Sequence, residues 1–522
     1  MTRTTAPRKR RPILRAIGVV ALVAVLMYTA FAVFLATRPV VISLDAVKRF
    51  RDGLPVARVP EDAAWPAYRD ALEAMGFESA LGLKDKSVND ALGMWPGGPE
   101  WTSVAAWVDA NQPAFAAARS ASRRPLFGFP IGQAYNGADA DFFRGFRGVA
   151  DVEHLGSHVS DRDHFPMFAM SLPHLGVMRR LAQSVQADTL RAIEQGDGER
   201  ATQDLESIMA ISIHVPEGRL LIGDLVGIAI RGVAVRSATA ALEWRPQVFT
   251  DDQLRRLQAA FRSVPAALER IDLSAESLAF EDVVQRMYSD DGNGDGWFVP
   301  TTQQVGLVQV VEGSSAGVKP EASPVWAVPA FVGALRPIGA LAVAGRKDTL
   351  ANHRELFDRY ERVSVALPVA ALQAVREIDA ALLQRTSGRS RASRWFLEGL
   401  LTPALGPAIV NFALERASRE SACAAIAAEL FHRANKRWPT SAAELAPFNG
   451  GIVPADPWGD GPIRMANDDA GFRMWSIGRD GKDGGGDPAQ ASGLSTNPNP
   501  RGDAPADWVW FAPRGNLERW RN

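Results

Sequence analysis

The sequence predicts a mainly α-helical protein with three parts: an N-terminal transmembrane helix, an irregular α-helical array and a small C-terminal α+β domain. Three observations lead there. An uncharged apolar run, Ala16 to Ala36, lies near the start. From about residue 40 to 435, apolar residues recur mostly at helical spacing. Beyond that, short strand-like runs alternate with Gly- and Asp-rich turns. The chain has 522 residues, 47% hydrophobic and 22% charged, which fits a globular body of several domains. Its formal net charge of −1 offers no basic footprint for nucleic acid.

The first element is the anchor. Residues 1–15 form a basic segment carrying Arg3, Arg8, Lys9, Arg10, Arg11 and Arg15 and no acid. Residues 16–37 follow as the membrane span, because about 20 apolar residues cross a bilayer core. Positive charge stays on the cytoplasmic side, so the bulk of the chain is expected outside the bacterial inner membrane. A cleaved signal peptide, cut near Ala30-Phe31-Ala32, is the rival reading, but its apolar region is ordinarily only roughly 7–15 residues. Cys423 is the single cysteine, so no intrachain disulfide forms, and its place on an apolar helix stripe suits a small core residue.

The second element is the helical domain, residues 38–414. Trp65-Pro66 opens a short helix toward Met75, with proline in the first turn. Met178, Leu181, Ala182, Val185, Ala192 and Ile193 make one helical stripe, stopped at Gly196-Asp197-Gly198. Ala201, Leu205, Ile208 and Met209 begin a second, broken at Pro216-Glu217-Gly218; Leu221, Leu225 and Ile228 start a third. Gly223 and Gly227 lie four apart and admit a close neighbour. The helical hairpin resembles one tetratricopeptide unit, without a sustained 34-residue period. Further helices are expected over 352–373 and 376–384. A Gly/Ser/Pro-rich excursion near 289–325, with the β-like run Val305 to Val311, interrupts the array.

Three spots in this domain carry candidate chemistry. Asp291, Asn293 and Asp295, with Gly296, match the first six positions of a calcium loop, but the twelfth is Thr302 instead of a bidentate Glu. His154, His158 and His164 cluster with Glu153, Asp161 and Asp163, and imidazole with carboxylate can hold zinc or iron. Gly313-Ser314-Ser315-Ala316-Gly317 has the letters of a nucleophile elbow, yet Pro320 and Pro324 deny it the helix it needs.

The third element is the tail, residues 415–522. An Ala-rich helix over 421–437 ends at Trp438-Pro439. Asp456-Pro457-Trp458-Gly459 is turn chemistry. Strands are expected at 462–466, 471–477 and 508–511, with Asn467 to Ala470 as a hairpin turn. Ser476-Ile477-Gly478-Arg479-Asp480-Gly481-Lys482-Asp483-Gly484-Gly485-Gly486-Asp487 interleaves oxygen-bearing side chains with glycines, which suits a hard cation such as calcium.

This order of features resembles the globular domain of the major pseudopilin of type II secretion systems: a helix ending at an aromatic-Pro step, a D-P-W-G turn, then a strand running into S-x-G-x-D-G-x-x-G-G. The resemblance covers about residues 415–515. It implies a structural calcium ion held by Asp480 and Asp507, with Asp483 and Asp487 next. The chain departs from that family at its N-terminus: Pro12 to Val25 lack the cleavage glycine, the following Phe and the Glu five residues on. Whole-chain organisation is similar to single-pass bacterial envelope proteins with such a tail.

The functional expectation is therefore a membrane-anchored extracytoplasmic binding or scaffold protein with a calcium-stabilised tail, no catalysis and an unidentified protein partner. A metal-dependent hydrolase using the His154/His158 region is the alternative. A secretion-system accessory subunit is a third reading.

Overall fold

The computed structural model describes residues 10–76, 95–133, 135, 137–147, 166–299, 340–386, 394–395, 397, 405–469, 471–487, 507–513, 515, 517 and 520. These are mainly helical: α1 (Arg10–Ala36), α2 (Ala46–Asp52), α3 (Trp65–Met75), α4 (Trp101–Ala110), α5 (Gln112–Ser122), α6 (Gly137–Arg147), α7 (Pro173–Gln195), α8 (Gly198–His214), α9 (Leu221–Trp244), α10 (Asp251–Arg262), α11 (Ser274–Met287), α12 (Arg346–Val363), α13 (Pro368–Thr386) and α14 (Leu405–Asn435). Three strands, β1 (Arg464–Asp468), β2 (Gly471–Ser476) and β3 (Trp508–Phe511), make an antiparallel sheet in that order. The histidine cluster at 154–164, the run 305–311 and the serine motif at 313–317 lie outside the described residues.

The chain divides into two compact units. The first comprises 1–46, 277–356 and 380–403; the second comprises 47–276, 357–379 and 404–522. In the first unit, Gln285 accepts the Ser43 and Leu44 N–H groups and donates to the Leu44 carbonyl. Phe31 of α1 meets the Trp297 ring edge-on, with ring centres 5.5 Å apart. From Val19 through Ala30 the side chains of α1 are exposed.

The second unit is built on α7, α8, α9 and α14. Gly196 ends α7 at φ 81, and Asp197 then caps α8 by accepting the Arg200 N–H. Gly227 lets α9 close on the end of α8: a Cβ there would lie 2.8 Å from the Ser212 carbonyl oxygen and from Pro216. Helix α9 (Leu221–Trp244) is long and apolar enough to cross a membrane, and α1 carries the shorter apolar stretch Val19–Leu35 among the residues whose side chains are described. Helix α9 is also mostly buried, which is the behaviour of a core helix.

Charges pin this core. Arg231 of α9 and Arg419 of α14 both donate to Glu415 at 2.7 Å, and all three are buried. Arg119 bridges Asp188 and Asp204, each at 2.7 Å, and so ties α5 to α7 and α8. Removing one member of such a buried set costs about 3–5 kcal/mol, because its partner is left charged and unpaired.

Helix α14 starts at Leu405, well before the expected 421, and continues through the boundary expected at 414/415. The tail sheet belongs to the same unit as the helical body. Glu243 of α9 accepts the Ala512 N–H and the Trp520 indole N–H, both at 2.7 Å. Trp438 stacks on His432 at one side and on Phe472 of β2 at the other. The helix expected over 352–373 is broken between Val363 and Pro368, where Pro368 restricts the residue before it. The Arg416 guanidinium donates to the Ser364 and Ala366 carbonyls freed there, and to that of Glu269.

Candidate functional site

In the tail, Asp456 is the hub. It is 2% exposed. One carboxylate oxygen accepts the Trp458 N–H and the Ser476 hydroxyl; the other accepts the Ile477 N–H and the Arg464 guanidinium. The D-P-W-G turn is thereby fastened to the end of β2. Arg464 also donates to Asp483 Oδ2 at 2.9 Å. Asp483 Oδ1 accepts the Trp475 indole N–H and the Gly485 N–H. Burial works against the Asp483 charge, but the Gly485 and Trp475 donors and Arg464 outweigh it and hold this carboxyl below the usual range.

Asp507, just ahead of β3, reaches the same loop. Its two oxygens accept the Gly484 and Gly486 N–H groups at 3.1 and 2.7 Å. Gly486 takes φ 68 and presses on the Trp475 ring, where a Cβ would sit 2.4 Å away. Asp480 and Asp487 lie exposed on the rim, Asp480 accepting the Lys482 N–H. Of the four predicted ligands, the fold thus brings Asp483 and Asp507 onto the loop as acceptors for N–H groups, and leaves Asp480 and Asp487 at its edge. Among the described residues, no three His, Cys, Asp or Glu side chains are gathered as a metal ligand set.

The loop of Asp291, Asn293 and Asp295 follows the same logic in the first unit. Asp291 Oδ1 accepts the Asn293 and Asp295 N–H groups, which hold its carboxyl below the usual range. Asp295 Oδ1 accepts the Gly296 and Lys347 N–H groups. Asp290 pairs with Arg346 at 2.8 Å. The carboxylates tie the turn to the start of α12.

A third place has no counterpart in the sequence reading. In the second unit, the turn before α9, the segment before α11 and the end of α12 border a cleft of about 600 Å³. Its walls include Arg219, Arg270, Asp272, Ser274, Glu361 and Arg362. Arg219 is a non-glycine residue at φ 51, a left-handed conformation that L side chains rarely adopt. Its guanidinium donates to the Ala267 carbonyl at 2.7 Å and lies 3.5 Å from Asp272. Its Nε is buried with no hydrogen-bond partner among the described residues.

Two buried carboxyls lie behind it. Glu276 accepts the Leu221 N–H at the start of α9 through Oε1. Its Oε2, and both oxygens of Asp224, are buried with no partner among the described residues. Burial pushes both groups up to about 7; Arg219 and Arg231 pull against it at Asp224, and the Leu221 N–H at Glu276. The cleft was invisible to sequence reasoning because its walls come from three distant segments. Asp224 inside the apolar run Leu221 to Ile230 was the one available signal.

No known family model, curated protein or solved structure matches this chain.

Proposed function

We propose that this chain is a single-pass, membrane-anchored binding or scaffold protein whose bulk lies outside the cytoplasmic membrane. The observation that carries this reading is α1. It runs 27 residues, and a rise of about 1.5 Å per residue makes it long enough for a hydrocarbon core of about 30 Å. Its apolar side chains from Val19 through Ala30 are exposed, whereas the other long apolar helix, α9, is buried. The basic residues ahead of α1 set the orientation. Alkaline-carbonate extraction, with alkaline phosphatase fused after residue 60, tests it. Retention in the membrane pellet with an active fusion is expected. Release of the full chain into the soluble fraction, or an inactive fusion, overturns it.

The same reading includes a structural calcium ion at the tail loop. It enters through the rim, where the Asp480 and Asp487 side chains are exposed to solvent. The left-handed glycines Gly478, Gly481 and Gly485 turn the backbone sharply beside those carboxylates, which supports the reading. Thermal unfolding of the full chain in calcium and in chelator is the test. Calcium should raise the midpoint of the wild type but not of D480N/D487N. Identical midpoints would retire the ion and leave the anchor untouched.

A further inference from the structure

We propose that the cleft bordered by Arg219, Arg270 and Arg362 binds the phosphate group of a phosphoester ligand. The inference stands apart from the anchor and from the tail loop. It rests on which charges in the cleft are already spent. Asp272 Oδ1 accepts both the N–H and the hydroxyl of Ser274. Glu361 Oε1 accepts the Leu273 N–H. The two acids of the wall are therefore already engaged, and Asp272 Oδ2 also lies 3.5 Å from Arg219.

Two of the three cations are not. Arg270 and Arg362 are exposed and make no hydrogen bond or ion pair among the described residues. Arg219 pairs with Asp272 at 3.5 Å and keeps a buried Nε–H without an acceptor among the described residues. Three guanidiniums thus face one concavity against two engaged carboxylates. Planar guanidinium groups offer paired N–H donors that match the oxygens of a phosphate, and they keep their charge at any working pH. Burial raises the carboxyls of Asp224 and Glu276 behind Arg219 to about 7, so near neutrality each is only partly ionised. The left-handed backbone at Arg219 is the kind of local strain that persists where surrounding structure enforces it, and here it belongs to a residue on the cleft wall.

The phosphate could belong to a soluble compound or to a lipid. Val365, Leu367 and Val369, which follow Arg362 in the chain, are exposed apolar side chains, so a lipid phosphoester belongs among the probes. The experiment uses the full chain in zwitterionic nanodiscs. Inorganic phosphate, glycerol phosphate and short-chain phosphatidylglycerol are each titrated by calorimetry. The variant R270M/R362M removes two side chains that hold nothing else in place, so its fold should be intact. R123M/R255M, at exposed arginines elsewhere, controls for unspecific charge. Binding of at least one probe, weakened tenfold or more by R270M/R362M and unchanged by the control, is expected. Binding of all three probes assigns the site to the phosphate group itself; binding of phosphatidylglycerol alone assigns it to lipid. No binding by any probe at millimolar concentration, or equal loss in the control variant, overturns the proposal.

Discussion

Replacing Asp456 with alanine should undo the tail. The carboxylate satisfies two backbone N–H groups, Trp458 and Ile477, one hydroxyl, Ser476, and the Arg464 guanidinium. Each buried donor left without an acceptor costs about 1–3 kcal/mol. Arg464 is 35% exposed at its side chain, so it rehydrates and adds little. The Ser476 hydroxyl can rotate and belongs at the low end of the range. Two N–H groups near the middle and one hydroxyl at the bottom give about 5 kcal/mol. A folded unit is stable by only about 5–15 kcal/mol in total, so D456A removes a large share. D456N keeps one acceptor oxygen and should cost about half as much. Urea unfolding followed by tryptophan fluorescence reads the change, since Trp438, Trp458, Trp475, Trp508 and Trp510 all lie in the tail. Limited proteolysis should find new cuts between 456 and 487. A D456A midpoint equivalent to less than about 0.5 kcal/mol, the scale of an ordinary surface change, would refute the account of Asp456 as the hub.

Three further outcomes are expected. Asp224 and Glu276 are raised to about 7, so between about pH 4 and pH 7 the folded chain binds protons that the unfolded chain releases. Their stabilisation is complete below about pH 4 and lost as pH rises through about 7. D224N should therefore match the wild type at pH 4 and exceed it at pH 8 by up to about 4 kcal/mol, as melting curves across that range would show. G486A combines a left-handed backbone with a collision against Trp475, and should lose about 2–4 kcal/mol in chemical denaturation. R416A strands three carbonyls and should cost about 2–3 kcal/mol, with faster amide hydrogen exchange over 363–372 as its local signature.

Punctuated elements were legible from the letters. Gly196-Asp197 stops one helix and starts the next as expected, and β2 and β3 fall within a residue of their expected bounds, because glycine and proline act on the backbone directly. The hairpin turn is tighter than the four residues expected, since Asp468 already pairs with Gly471. What failed was the start of α14, expected at 421. Glu415, Arg416 and Arg419 break the apolar stripe ahead of residue 421; in the fold Glu415 and Arg419 are buried in the Arg231 network, and Arg416 closes the gap between α12 and α13. Asp483 and Asp507 read as ion ligands, and in the fold they accept N–H groups of their loop, a role with the same letter and spacing. Local sequence cannot tell these apart; only the position of the N–H groups does. The Arg219 cleft draws on residues 219, 270–274 and 361–362, so no window of the chain contains it.

The Glu243 clamp has a consequence for the order of folding. It joins residues 269 and 277 positions apart, so one carboxylate near the end of α9 fastens a segment made more than 250 residues later. Contacts of such long sequence separation form slowly, so this seam is expected to close after the local helix hairpins of the second unit.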